Sequence, residues 1–317
     1  MKKYTHAWIA FMAVRRLEAA KGKLAGSNGK FAENLVTWLM RFNDEIIKGA
    51  WYPDAVIKDM ADSHVLKYEP SDTADYTFDT LAGTSRVADL TKNAPLRNRS
   101  FELHDENDNL PDRVEAIAHS IVDHLKMQHK EPKGSPIVPT NNHIALLFFM
   151  LSHYVADAHM PLHCDARAFS SGKDVHAAIE EDWDTSIKKH FEVDRRYNRF
   201  YYDKDGYPLK KKSIAGTWIE EVESDLLSRR FQIGYGSGKD GTWDFVRSVC
   251  QHSYLLAHLF IPDNYTPANI LTADDAWKSL GSVSFEEMTI AVFADAVDSI
   301  ARIWFRLWRR YEEWKKE

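Results

Sequence analysis

"ALLFFMLSHYVADAHMPLH" (Ala145–His163) decides how this chain is read. Ala145 to Leu151 is uninterruptedly apolar, and the polar residues after it are not scattered. His153 and Asp157 stand four apart, the spacing that puts two side chains on one helix face, one turn above the other. Pro161 lacks the N–H that a helix interior needs, and its ring crowds the preceding turn, so the helix ends or kinks there. His163 then lies just beyond the break. The stretch predicts a helix over His143–His159 that leaves a hydrophobic interior and ends among metal-binding side chains.

The same helical period recurs on both sides of it. It predicts helices over Tyr4–Ala20, Phe31–Lys48, Pro111–Met127, Val175–Phe191, Ser213–Ser228, Thr242–Leu259 and Ser284–Glu313. "DNLPDRVEAIAHSIVDHL" adds a polar lead-in and puts Pro111 near a first turn, where a missing N–H costs nothing. No stretch alternates strongly enough to predict several strands. Trp51–Leu110 is polar and irregular, which suits a long functional loop. Tyr201–Ser213 reads as a turn-rich excursion whose Lys210–Lys212 run is a solvated face. There is no internal repeat and no low-complexity tract. The expected fold is all-α, one multi-helix domain over residues 1–317.

Composition sets the outer limits. With 317 residues, 44% of them hydrophobic, ten Trp and sixteen Phe, the chain can bury a large core. A net charge of −6 argues against a dedicated duplex-DNA binder but excludes no small anionic substrate. Two cysteines, Cys164 and Cys250, form no disulfide framework. No apolar run reaches the roughly eighteen residues of a membrane span. The opening "MKKYTHAWIAFMAVRRLEAAKG" is basic and then apolar, but two arginines interrupt it and no small-residue cleavage site follows. It is read as an amphipathic helix of a chain that keeps its own N-terminus. The expectation is a cytoplasmic protein, with secretion as the alternative.

A second four-residue pair, His176 and Glu180, falls on the predicted helix over Val175–Phe191. Imidazole with carboxylate is the ligand set of catalytic zinc, which keeps one position open for water. His6 lies on the first helix in apolar surroundings, where a hydrogen-bonded core histidine is the competing reading. Asp54 follows Pro53, and a helix cap competes there; His64 comes ten residues later.

Taken in order, "THAWIAFMA", "YPD" followed by His64, "HYVADAHMPLH" and the His176–Glu180 pair resemble the three-zinc phosphoesterases. That superfamily contains the zinc-dependent phospholipases C and the single-strand-specific zinc nucleases. His153, Asp157 and His163 match its central motif without a gap. "HMPLH" looks more like the nuclease version, whereas "THAWIAFMA", "YPD" and His-x3-Glu look more like the phospholipase branch. The resemblance spans residues 1–184 and implies that Asp54, His64, His153 and Asp157 hold one zinc and His163, His176 and Glu180 a second. A third would sit on His6, on Asp157 as a shared carboxylate, and on the amine and carbonyl oxygen of residue 1. The family has Trp at that terminus and this chain has Met1, at the five-residue distance from His6 seen in the nucleases.

The implied activity is zinc-dependent phosphodiester hydrolysis, phospholipase C-like before nuclease-like, with a metal-bridging hydroxide as nucleophile and Asp54 as ligand and base. The implied partner is a phosphodiester, either a phospholipid headgroup or single-stranded nucleic acid. Tyr68, Tyr76, Phe78, Tyr201 and Tyr202 are candidates to flank it. The rival from another class is a non-catalytic, metal-stabilised binding protein. His159 is expected at a helix end behind the ligands, Cys164 as a small buried filler, and Asp184 as runner-up to Glu180. His119, His124 and His129 receive no role, and "IARIWFRLWRRYEEWKKE" is read as core plus solvated face.

Overall fold

Helix α6 (Asn141–Ala158) starts where Thr140 Oγ1 accepts the amide of His143 at 3.2 Å and stops at His159, two residues before Pro161. The chain is seen in a computed structural model that describes residues 1–58, 62–72, 78, 81, 85–104, 108–132, 134–167, 175–194, 196–236, 241–266 and 275–317. The described residues form an all-α fold. Helix α1 (Lys3–Lys21) is buried almost all round, from Tyr4 through Val14 and again at Arg16, Leu17 and Ala20. A helix with so little polar face belongs in the middle of a bundle. α1 accordingly packs against α2 (Ser27–Leu39), α3 (Asn43–Tyr52), α6, α7 (Val175–His190), α8 (Trp218–Ser228) and the long last helix α10 (Phe285–Trp314).

Short-range chemistry fixes the helix ends. Capping boxes open α5 (Leu110–Lys130), through Asn109 and Asp112, and α10, through Ser284 and Glu287; each supplies orphan amides with side-chain acceptors. α3 and α6 approach so closely at Gly49 that a Cβ there would stand 2.5 Å from Phe149 Cβ. α9 (Thr242–Phe260) closes the other side of α5, and one hydrophobic core runs from Met1 to Trp308. No helix among the described residues is long and apolar enough to cross a membrane.

The structure departs from the sequence reading in three places. The predicted helix over Phe31–Lys48 is broken into α2, a 3-10 turn at Met40–Phe42, and α3. Asn43 bonds the next amide with its own side chain, and Gly206 seats against Met40 and Asn43 from outside. The segment predicted to start at Ser213 becomes helical only at Trp218, after Gly216 takes a left-handed φ of 69°. The region 51–110 holds more structure than expected: a π-helical turn at Pro53–Ile57, helix α4 (Arg86–Thr91), and strand β1 (Tyr68–Pro70) paired antiparallel with β2 (Phe101–Leu103). A second two-stranded ribbon, β3 (Val193–Asp194) with β4 (Arg199–Phe200), follows α7.

Candidate metal centre

Six segments carry the nine predicted ligands, and the fold brings all nine together. α6 contributes His153 and Asp157, and the 3-10 turn that starts at Pro161 contributes His163. The N-terminal turn of α7 contributes His176 and Glu180. α1 contributes His6 and, from the residues just before it, Met1. The last element pair is the π turn after α3, which presents Asp54, and the 3-10 turn at Asp62–His64. π turns inside or at the end of helices recur at functional sites because they re-aim one side chain without breaking the chain's course. The first turn of α1 is pinned by Asp184, whose Oδ1 accepts the amides of Tyr4 at 2.9 Å and Thr5 at 3.3 Å. Asp184 is therefore no rival to Glu180. It holds the helix that carries His6.

Asp157 is the hub, almost wholly buried. Its Oδ2 lies 3.0 Å from His64 Nδ1 and 3.2 Å from His153 Nε2, and Asp54 Oδ1 lies 3.4 Å from the same His153 nitrogen. Its Oδ1 lies 3.2 Å from the Met1 amine and 3.5 Å from His6 Nε2, which is in turn 3.1 Å from the Met1 carbonyl oxygen. Among the residues implied for the second zinc, His163 Nε2 and His176 Nε2 are 3.2 Å apart, with Glu180 Oε1 at 3.0 Å from His176 and 3.8 Å from His163. Zinc bonds of about 2.0–2.2 Å set tetrahedral donors roughly 3.3–3.6 Å apart. The donor separations bracket that figure, so the residues fit zinc in number, type and spacing.

One tautomer is decided by geometry. His153 Nδ1 lies 2.7 Å from the Ala50 carbonyl oxygen, which can only accept, so Nδ1 carries a proton. In neutral His153, Nε2 then presents a lone pair to two carboxylates, an arrangement that needs a cation between them. Without metal the cation is a second proton: burial pulls the His153 pKa down, but Asp157 and Asp54 raise it to about 9. The Met1 amine behaves alike; burial lowers it, and Asp157 and Glu180 bring it to about 11. Burial favours the protonated form of Asp157, yet the Met1 amine and His153 hold its carboxyl well below the usual range. Glu180 is lowered in the same way by the amine, His163 and His176. His6 and His163 are both lowered, mainly by burial. Ionised carboxylates with the unprotonated imidazoles of His6 and His163 suit a cation, and the protons on His153 and the Met1 amine are the ones that a metal would displace.

Seven of the nine groups, all but His6 and His153, line a cavity of about 650 Å³. Its remaining wall is Lys2, Trp51, Val65, Lys67, Leu162, Ala166 and Arg167, none of which carries a motif that would mark it in the sequence. Arg167 is set by a bidentate bond to Asp165 and by the carbonyls of Ile261 and Pro262. The aromatic residues expected beside a substrate are not in this wall. Tyr68 is buried against Phe101, Phe78 and Tyr254 form the same cluster, and Tyr202 donates to the Asn43 carbonyl. Tyr201 is exposed away from the cavity, and Tyr76 lies outside the described residues. His159 caps α6 and meets Ser299 Oγ at 3.0 Å, and Cys164 is fully buried. Comparison with protein-family models, with curated proteins and with solved structures gives no match for this chain.

Proposed function

We propose that the chain is a zinc-dependent phosphodiester hydrolase. The observation that carries this reading is the convergence of five ligand-type groups, Met1, His6, His64, His153 and His163, on the two oxygens of one buried carboxylate, Asp157, with Asp54, His176 and Glu180 beside them at an open cavity. Zinc bound there would supply positive charge for an anionic phosphoryl group and bring a water pKa to near about 7. The chain's own residues do the rest. Ala50 fixes the ring of His153, and Asp184 fixes the helix that carries His6. Asp54, with its side chain 16% exposed against 2% for Asp157, is the more open of the two carboxylates implied for the first zinc; it is placed to orient a water and take its proton. Leu162, Val65 and Trp51 give the substrate an apolar wall, and Lys67 and Arg167 give it cationic neighbours.

A phosphodiester of the phospholipid type is the first substrate reading. Single-stranded nucleic acid is the second, favoured by Trp51, whose indole lines the cavity and can stack on a base. Metal analysis of purified protein should find two or three zinc ions per chain, and His153→Ala should remove at least one. Chelation should abolish hydrolysis of phosphatidylcholine, oligonucleotide or a nitrophenyl phosphodiester, and zinc should restore it. Asp54→Asn should keep the fold and lose turnover. Full zinc content with no turnover on any of the three substrates would favour the non-catalytic, metal-stabilised reading. Full turnover by Asp54→Asn would remove Asp54 from the mechanism.

A further inference from the structure

The ribbon that follows α7 carries charge of the wrong sign for the rest of the molecule. Residues 194–212 contain seven Lys and Arg against three Asp, in a chain whose formal net charge is −6. The same short segment exposes three large apolar side chains: Tyr197 at 59%, Tyr201 at 49% and Leu209 at 39%. Exposed residues of that size normally occur singly on a surface. Here they alternate with Arg196, Arg199, Lys210, Lys211 and Lys212, all exposed. The ribbon is not loosely attached. Phe200 packs on Tyr4 and Phe11 of α1, the amides of Lys211 and Lys212 donate to the His190 carbonyl, and Tyr207 Oη donates to Glu18 at 2.8 Å. Its inner side chains are thus committed to the core, and its outer ones are held out on a fixed backbone.

We propose that this ribbon is a docking surface for an anionic lipid bilayer. Cations next to exposed tyrosine and leucine match the two layers of such an interface, charged headgroups outside and the acyl boundary beneath. Nucleic acid is the less favoured partner, because base stacking needs a free aromatic face. The Tyr197 ring already has the Arg196 and Arg199 guanidinium groups at 5.3 and 5.4 Å from its centroid. Leu209 offers a base nothing to stack on. The contact between Phe200 and Tyr4 ties the ribbon to the first turn of α1, so docking would hold the metal centre near the lipid surface. The inference does not depend on what that centre does, since binding and hydrolysis are read separately.

The test is flotation of the intact protein with phosphatidylcholine vesicles, with and without phosphatidylserine, at low and high salt. Flotation is run on the parent and on Asp54→Asn, so that any turnover of the vesicle phosphatidylcholine is separated from binding. The expected result is binding to the phosphatidylserine vesicles that weakens with salt. Each cation at an anionic surface is worth roughly five-fold in partition, so Lys211→Ala/Lys212→Ala should lower binding by about ten-fold or more. Tyr197→Ser/Leu209→Ser should lower it on both salt levels. These positions are exposed, and unchanged thermal unfolding and zinc content would show that the variants fold. Equal binding by the charge variant and the parent would overturn the proposal, as would no preference for phosphatidylserine. Retention of a single-stranded oligonucleotide by the parent, lost in the charge variant and with no vesicle binding, would overturn it in favour of nucleic acid.

Discussion

Blocking the amino group of Met1 probes the centre where the main chain itself enters it. In metal-free protein that amine donates to Asp157 Oδ1 at 3.2 Å and lies 2.8 Å from Glu180 Oε1. Its pKa stands at about 11 against 8.0 for a free terminus, a rise worth about 4 kcal/mol. The folded-state value is the higher one, so the stabilisation is complete below pH 8 and is lost as pH climbs from 8 to about 11. Acetylation, or extension of the chain by one residue, turns the amine into an amide that cannot titrate. It also leaves Asp157 and Glu180 without that cation, and loss of one partner from a buried ion pair costs about 3–5 kcal/mol. Urea unfolding in chelator, followed by circular dichroism across this pH window, should show a declining midpoint for the chain beginning at Met1. The blocked form should give a lower and flatter profile. Loaded with zinc, the blocked form should hold one ion fewer, because an amide nitrogen is a poor ligand. Superimposable pH profiles and equal zinc content would refute the role assigned to Met1.

Three further outcomes follow from the packing. Gly49→Ala drives a Cβ into Phe149 between α3 and α6, which should cost about 1–3 kcal/mol in urea unfolding. Because α3 supplies the Ala50 carbonyl and leads into Asp54 while α6 supplies His153, the same variant should bind zinc more weakly by competition with a chelator. Asp184→Ala frees the amides of Tyr4 and Thr5 and should cost about 1–2 kcal/mol, with release of zinc from the His6 group before the others. His159 is buried, and its pKa is lowered from 6.5 to about 4, mainly by burial. Its folded-state pKa is the lower one, so metal-free protein should lose about 3 kcal/mol as pH falls from 6.5 to about 4; His159→Gln should flatten that limb of the stability curve.

The two helical pairs among the candidate ligands were legible because helical periodicity is a local rule. His153 with Asp157, and His176 with Glu180, each declare a shared face within five residues, and Pro161 announces the break before His163. Asp54 and His64 gave no such geometric signal. Their segment is ordered by a π turn, a 3-10 turn and a β pair whose partner, β2, comes only after α4. Strands of three residues are too short to show alternation, so β1 and β2 left no pattern to read. The division of α2 from α3 depends on Gly206, distant in sequence, and on Asn43 bonding locally. The cavity wall was illegible for a related reason: Arg167 is held in it by the distant carbonyls of Ile261 and Pro262, contacts that leave no mark on neighbouring residues. Asp184 stood as runner-up to Glu180, and the structure gives it to the amides of Tyr4 and Thr5.

The position of α1 has a consequence for how the molecule assembles. It is buried on almost every side, and its neighbours come from nearly the whole chain: Met1 meets Glu180, and Arg16 bonds Asp298 across 282 residues. During synthesis α1 is made long before α7 and α10, and until they arrive the sides that α2, α3 and α6 do not cover stay open. Loop-closure entropy of that length must be met before these contacts form. Formation of the ligand hub is therefore a late folding event, and any metal that captures the histidines earlier would hold them in a non-native arrangement. Refolding in excess zinc should accordingly be slower, or less complete, than refolding in chelator with zinc added at the end.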